Sequence, residues 1–321
     1  MNQQQPILPP PLQSGDTIGI IHPAGPIRDA AAFEQGMRVL RELDLEIRHY
    51  SPDNSGPNYL AANDRHRLWE LHHVWADDEV KALIAARGGY GCLRIMAGLD
   101  MNLLRSKPKW LIGFSDLSVL LNGIFQKTGI VTLHGPMVTT LARSDRPSFQ
   151  RFKEAVSGEF HPCPAPAGLE ILRAGGAGIS QGQLVGGNLT TLTHLVGTPW
   201  QPEVDGNILF IEDTTEPKYK LDRMLTHLAC CGLLDNLSGL ILGTFDPGHD
   251  DRLEIIRLNE EVWTRVLELT EAADYPIWGG FPIGHQQKNI ALPIGMEAVM
   301  NSITGRLEFL PHTCRHCEQV G

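Results

Sequence analysis

The sequence lacks the features of membrane, secreted and nucleic-acid-binding proteins. None of its apolar runs approaches the length of a membrane span, and the opening MNQQQPILPPPLQSGD lacks the basic start and apolar core of a signal peptide. Basic residues are fewer than acidic ones, 27 against 37, which gives a net charge of -10, whereas binding to a phosphate backbone requires a basic stripe. We therefore expect a cytoplasmic protein that binds neither membranes nor nucleic acids.

Cysteine is also scarce. The six cysteines are too few and too irregularly spaced for a disulfide framework in a chain of 321 residues. Cys314 and Cys317 form a C-x-x-C motif beside His312 and His316, but no second pair at zinc-finger spacing accompanies it. We interpret this motif as part of a loosely packed tail, with adventitious metal binding left open. Because H-E-x-x-H and G-x-x-x-x-G-K-[ST] are absent as well, we predict no metal and no cofactor.

The composition that is present is that of an ordinary globular protein, with 42% hydrophobic and 20% charged residues. A chain of 321 residues exceeds the usual limit for a single core, which favours two domains. In the first part of the chain, predicted strands alternate with predicted helices, a pattern typical of a parallel sheet with helices on both faces. The strands are predicted over residues 17–21, 46–50, 81–86, 110–114 and 130–134, and the helices over 29–43, 64–75 and 117–126.

A change in composition separates the two halves. Residues 142–187 are rich in proline and glycine and show no sustained period, which suits a crossover between domains. We predict an N-terminal α/β domain over residues 1–158, a linker over 159–179 and a smaller C-terminal α/β domain over 180–321. The C-terminal elements are strands predicted over 207–211, 239–245, 298–301 and 306–310, and helices predicted over 220–231 and 258–270.

The stretch KWLIGFSDLSVLLNGIFQ places Ser115 where a buried strand turns into an amphipathic helix. The carboxyl end of a parallel strand and the free N–H groups of a helix start favour developing negative charge, so this position suits a hydrolytic nucleophile. Serine is also a common helix N-cap, and that alternative stays open. The motifs PAGP, RGGYG and HGPM lie at three other predicted strand ends and are expected to flank the serine.

A serine nucleophile needs a base and a carboxylate that orients it. Glu212 directly follows the apolar strand NILFI, with Asp213 as an alternative, and either carboxylate could instead cap a turn. Among thirteen histidines, His285 has the most suggestive setting, the glycine-flanked loop GGFPIGHQQKN. A loop histidine is often incidental, and chain order alone does not define a triad.

Five motifs in order resemble the LD-carboxypeptidase family of serine peptidases: PAGP, ARGGYG, IGFSDLS, LFIEDTTEPKYKLDRML and GFPIGHQQKN. The resemblance extends from about residue 15 to about residue 310 and implies a flavodoxin-like N-terminal domain plus a smaller C-terminal α/β domain. It implies Ser115 as nucleophile, His285 as general base and Glu212 as the carboxylate that orients His285. It also implies an oxyanion hole formed by the backbone N–H groups of Asp116 and Gly89.

The reaction implied by this resemblance is hydrolysis of the bond to the terminal D-alanine of a murein tetrapeptide, during cell-wall recycling in the cytoplasm. By position in the matched motifs, Arg87, Asn188 and Arg223 are candidates for binding the terminal carboxylate, although Arg223 could belong to a structural ion-pair network. Tyr90 and Trp200 could line the pocket or belong to the core. The resemblance further implies a homodimer.

Two other functions fit the same residues. Some relatives that resemble this family are self-immunity hydrolases acting on peptide-nucleotide antibiotics, and such an enzyme would use an aromatic side chain, for example Trp200, to stack on a base. Alternatively, two α/β lobes could form a non-catalytic binding module with ordinary polar residues in its cleft. Leu117 stands where G-x-S-x-G has its second glycine, which disfavours an α/β-hydrolase elbow.

Overall fold

The computed structural model describes residues 6–50, 57–249 and 251–310, and its elements form two sheets with flanking helices. The strands are β1 (Thr17–Ile21), β2 (Glu46–His49), β3 (Val80–Ala85), β4 (Trp110–Gly113), β5 (Thr132–His134), β6 (Glu170–Arg173), β7 (Ile179–Asn188), β8 (Ile208–Thr214), β9 (Gly239–Asp246), β10 (Ile277–Gly279), β11 (Leu292–Ile294), β12 (Glu297–Asn301) and β13 (Arg306–Leu310). The helices are α1 (Ala30–Glu42), α2 (Asp64–Ala76), α3 (Cys92–Ile95), α4 (Met101–Ser106), α5 (Ser118–Thr128), α6 (Val138–Leu141), α7 (Arg146–Val156), α8 (Leu189–Thr193), α9 (Lys218–Cys230) and α10 (Arg252–Leu269). Short 3₁₀ helices span Met96–Gly98 and Ser115–Leu117.

The first sheet has the strand order β11-β5-β4-β3-β1-β2, and β1 to β5 are parallel. The order 2-1-3-4-5 within it is that of flavodoxin-like folds, which confirms the predicted architecture of this half. β11, from the C-terminal half of the chain, pairs antiparallel with β5, Leu292 opposite His134. The domain boundary predicted from composition assigns β11 to the C-terminal domain, whereas the structure places it in the first sheet. The pairing satisfies backbone groups that β5 would otherwise expose at the edge of the sheet.

The second sheet has the order β13-β12-β7-β8-β9-β10-β6. Its central strands β7 to β10 are parallel, while β6 and the β12–β13 hairpin add antiparallel edges. The segment predicted as a linker contains the strand β6, whose Arg173 and neighbouring residues pair with β10. The carboxyl ends of β7 and β8 bring Asn188 and Glu212 side by side in register.

The two lobes are joined along α5, which is buried on almost every side between them. One hydrophobic cluster extends from one face of the first sheet, through α5, into the second sheet, while a smaller cluster fills the other face of the first sheet. Asn122 donates to the Gly186 carbonyl (2.8 Å) and accepts from the Gly186 N–H (3.1 Å), and the Asn188 N–H donates to Ser118 Oγ (3.0 Å). The helix that follows Ser115 is therefore hydrogen-bonded directly to the strand beside Glu212.

Membrane spans and cysteines were also considered in the sequence. No helix within the described ranges is both long enough and apolar enough to cross a membrane. The C-x-x-C motif of Cys314 and Cys317 lies outside the described residues, so the structure does not test its interpretation. Of the cysteines that are described, Cys92 and Cys163 are buried, Cys230 and Cys231 are exposed, and all four are free thiols.

Candidate active site

Ser115 occupies a strained turn directly after β4. Its φ of 64° lies in the left-handed region, which few non-glycine residues adopt. Its side chain caps neither the 3₁₀ helix nor α5, whose N-cap positions are Phe114 and Leu117, so the N-cap interpretation is wrong. Gly88 packs against it so closely that a Cβ there would lie 3.0 Å from Ser115 Oγ. The turn therefore has the strain of a nucleophile elbow without a second motif glycine.

Glu212 and His285 form a hydrogen-bonded pair. Glu212, on β8, is completely buried, whereas the His285 side chain is 20% exposed, and His285 Nδ1–H donates to Glu212 Oε2 at 2.8 Å. Burial opposes a charged imidazole, but the charge and hydrogen bond of Glu212 prevail and raise the pKa of His285 above its usual value. Because Nδ1 carries the bonded proton, the neutral ring leaves Nε2 free as a base.

The structure distinguishes between the two neighbouring carboxylates. Asp213 points away from the imidazole and accepts from the Thr190 N–H (2.7 Å) and Thr190 Oγ1 (2.8 Å). Burial and the nearby Glu212 charge raise the pKa of Asp213 to about 6. Glu212 is thus the partner of His285, while Asp213 fixes the start of α8, where Asn188 is the N-cap.

A cavity of about 510 Å³ lies at the carboxyl ends of strands from both sheets. Ser115 and His285 both line it, so the two lobes contribute to one site. Four more of the predicted site residues also line it, namely Arg87, Gly89, Asp116 and Asn188. Arg28 and Arg143 line it too and were missed by sequence reasoning, although Arg28 follows the PAGP motif almost directly. Three guanidinium groups around one cavity suit an anionic ligand.

Three predicted substrate-binding residues lie outside the lining of this cavity. Tyr90 is half exposed and its ring faces that of Tyr59 at 5.9 Å. Trp200 packs against the hydrophobic core, and Arg223 stacks over the Tyr219 ring on α9 at 5.4 Å. These side chains make their contacts with Tyr59, the hydrophobic core and Tyr219 instead.

A second cavity, of about 530 Å³, lies between α9 and α10. Its lining combines apolar residues with basic and acidic side chains, such as Lys218, Arg257 and Glu261, and includes neither serine nor histidine. In the described ranges, no group of three or more histidine, cysteine or acidic side chains could hold a metal ion. The cavity that Ser115 and His285 share is therefore the candidate active site.

Known proteins resemble this chain over most of its length. Family models described as the LD-carboxypeptidase N-terminal and C-terminal domains match residues 18–135 and 181–300. A Bacillus subtilis protein named "Probable murein peptide carboxypeptidase" is 38% identical over 92% of this chain and 91% of its own. The chain belongs to the LD-carboxypeptidase family.

Two further relatives of this LD-carboxypeptidase family member differ in their named functions. The crystal structure of a muramoyltetrapeptide carboxypeptidase from Oxalobacter formigenes has a TM-score of 0.76 and 30% identity, covering 91% of this chain and 97% of that one. The Escherichia coli "Microcin C7 self-immunity protein MccF" is 27% identical over 94% of this chain and 95% of its own. Membership supports a peptidase with the two-domain α/β fold, whose substrate must be argued from the site.

Proposed function

We propose that this protein is a serine-type LD-carboxypeptidase that releases the terminal D-alanine from murein tetrapeptides. The observation that carries the proposal is the Glu212–His285 hydrogen bond of 2.8 Å, whose imidazole lines the same cavity as the strained Ser115. A buried carboxylate, an oriented imidazole and a hydroxyl at a strand end are the parts of a serine-hydrolase triad. The names of the Bacillus and Oxalobacter relatives support the substrate class.

In this mechanism, His285 Nε2 accepts the proton of Ser115 as its Oγ attacks the carbonyl before D-alanine. The tetrahedral oxyanion is stabilised by the N–H groups of Gly89 and Asp116, each worth about 3 kcal/mol. His285 then donates its proton to the amine of D-alanine, which leaves. Water activated by the same imidazole attacks the acyl-enzyme and regenerates Ser115. Glu212 holds one tautomer and stabilises the imidazolium throughout.

Substrate orientation rests on Arg87 in this proposal. The Arg87 side chain is half-buried in the cavity wall, and its Nη1–H donates to the Pro26 carbonyl at 2.9 Å, which fixes the guanidinium plane. Its remaining N–H groups suit a bidentate pair with the terminal carboxylate of the peptide. Asn188, at the start of α8, supplies an amide on the opposite wall.

The decisive experiment measures D-alanine release from a murein tetrapeptide by the purified protein. We expect Ser115→Ala to lower the rate by about 10⁶-fold, as removal of a triad serine does elsewhere. Ser106→Ala, at an exposed serine of α4, is the matched control and should retain full activity. Rapid turnover by Ser115→Ala, or none by the wild type, would refute the proposal.

The immunity-type function is less well supported by the cavity. Stacking on a nucleotide base calls for an exposed aromatic ring, and among the described lining residues only Phe114 is a phenylalanine, tyrosine or tryptophan. Trp200, the expected platform, packs elsewhere. A competition assay between a tetrapeptide and a peptidyl-adenylate substrate separates the two, and we expect the tetrapeptide to be the better substrate.

A non-catalytic binding module would not require the strain at Ser115 or the buried charge of Glu212, both of which cost stability. Labelling with a fluorophosphonate tests this alternative, because reaction at Ser115 requires an activated hydroxyl. We further propose that the enzyme works in the cytoplasm as a homodimer. Cell fractionation and light scattering measure location and mass directly.

A further inference from the structure

Four buried polar atoms around Glu212 have no hydrogen-bond partner within the described parts of the chain. They are Glu212 Oε1, His134 Nδ1, His134 Nε2 and Asn289 Nδ2. Unpaired buried polar atoms are rare because each costs about 1–3 kcal/mol, and their clustering marks a functional network. Glu212 thus has one oxygen on His285 and a second, buried oxygen without a hydrogen-bond partner among the described residues.

His134 lies in the wall between the two lobes. It is the last residue of β5, is 0% exposed, and pairs with Gly113, two residues before Ser115. Its ring meets the Phe210 ring at 5.1 Å and the Phe114 ring at 5.9 Å. Phe210 and Glu212 are alternate residues of β8, so their side chains share one face of the second sheet, the face that His134 contacts.

Phe114 connects this imidazole to the catalytic one. Its ring also meets the His285 ring, at 4.8 Å, so one phenylalanine separates the two histidines. Asn289 ties the same loop in place, because its Oδ1 accepts from the Gly284 N–H at 3.2 Å. A Cβ on Gly284 would lie only 3.2 Å from Glu212 Oε2, which shows how closely this loop packs on the carboxylate.

The charges around these groups decide the protonation state of His134. Burial lowers its pKa to about 4 and outweighs the Glu212 carboxylate, which acts in the opposite direction. The charged or titratable groups acting on His285 are Glu212, Asp213 and Asp246, and those acting on His134 are Glu212 and His285. His134 is therefore a neutral imidazole at working pH, with one N–H to donate and one nitrogen to accept.

We propose that His134 is a positioning residue for Glu212, its neutral imidazole donating a hydrogen bond toward Glu212 Oε1, with Asn289 completing the network. The proposal rests on the serine-peptidase function for its effect on turnover. A donor on Oε1 fixes the carboxylate rotamer, so that Oε2 stays on His285. The same hydrogen bond stabilises the Glu212 carboxylate more when His285 is neutral than when it is protonated. Removing that donor should consequently raise the pKa at which the pair loses its proton.

The test compares His134→Phe with His134→Gln by the pH dependence of D-alanine release. His134→Phe keeps the buried volume but removes the donor, and we expect a loss in kcat of about 10–100-fold with little change in KM. Its acid limb should move upward by about half a pH unit or more. His134→Gln retains a donor and should restore both values. A wild-type acid limb in His134→Phe would overturn the proposal.

A measurement without substrate separates this proposal from the peptidase assignment. NMR titration of the His285 ring should show a higher pKa in His134→Phe than in the wild type, whether or not tetrapeptide is cleaved. If His134→Phe fails to fold, the wild-type spectrum decides instead. There, His134 should show a slowly exchanging ring N–H and no titration above pH 5, and a ring that titrates near its ordinary pKa would overturn the proposal.

Discussion

The two lobes position their catalytic groups by different means. In the first lobe, backbone conformation and close packing position the nucleophile: Ser115 has a φ of 64° and is packed against Gly88, while the neighbouring Asp116 carboxylate accepts from the Cys92 N–H at 2.8 Å. In the second lobe, side chains do the work, because the buried Glu212 holds His285 through one charged hydrogen bond. We infer that the nucleophile is sensitive to added volume, whereas the acid–base pair is sensitive to lost charge.

Glu212→Gln is the strongest test of whether the acid–base pair of the second lobe depends on the charge of its carboxylate. An amide in place of the carboxylate disfavours the productive tautomer of His285, and we expect kcat to fall by about 10⁴-fold. Asp213→Asn is the matched control, since Asp213 contacts Thr190 rather than the imidazole, and should cost far less. Steady-state kinetics on both proteins give the answer, and equal losses would erase the distinction between the two carboxylates.

Gly88→Ala tests whether the nucleophile of the first lobe is sensitive to added volume. The added Cβ would lie 3.0 Å from both Cβ and Oγ of Ser115, so the nucleophile must shift. A misplacement of this size should lower kcat by about 10²-fold. Gly135→Ala places its Cβ at an ordinary 3.4 Å from Ala291 and serves as the control. An NMR spectrum of His285 unchanged in Gly88→Ala would confirm that the damage stays in the first lobe.

Asn122→Ala tests how firmly the two halves are joined. The change leaves the buried N–H and carbonyl of Gly186 without their side-chain partner, and we expect a loss of unfolding free energy of about 2 kcal/mol. Urea denaturation measures it, with Asn102→Ala on the exposed surface of α4 as control. If both variants were equally stable, the hydrogen bonds of Asn122 would contribute nothing measurable to the joining of the lobes.

The smallest expected effect concerns pH. His285 must be neutral to act as a base, and Glu212 raises its pKa above the usual 6.5. We therefore expect kcat/KM to increase with pH through an acid limb above 6.5. For stability the sign is opposite, because the protonated pair is favoured in the folded state and this contribution is lost as pH increases through the raised pKa. An acid limb below 6 would contradict the geometry.

The sequence predicted the site residues at strand ends better than it predicted the substrate-binding residues around the cavity. Ser115 and Glu212 follow directly from apolar runs that read as buried strands, and parallel strands bring such ends to one edge. The exposure of Tyr90 and the packing of Trp200 depend on turns and contacts that local periodicity does not encode. The strain at Ser115 was equally hidden, since no second glycine marks it.

The structure differs most from the domain prediction in the strand that one lobe contributes to the sheet of the other. Composition marks residues 142–187 as a break, yet β6 lies inside it and belongs to the second sheet, and the first sheet recruits β11 from beyond it. A three-residue strand such as β11 carries too little periodicity to be assigned a partner. Its pairing is decided by the free edge of β5, which exists only once the first sheet is formed.

The placement of β11 has a consequence for biogenesis. Its partner β5 leaves the ribosome long before β11 does, because five of the seven strands of the second sheet are translated in between. Until then, the nascent first lobe carries an open edge next to the HGPM turn. The strand that seals this sheet also follows the loop bearing His285, so translation of residues 285–294 supplies both the last strand of this sheet and the histidine of the candidate site. A chain that ends before residue 285 thus has neither the sealed sheet nor the His285 imidazole.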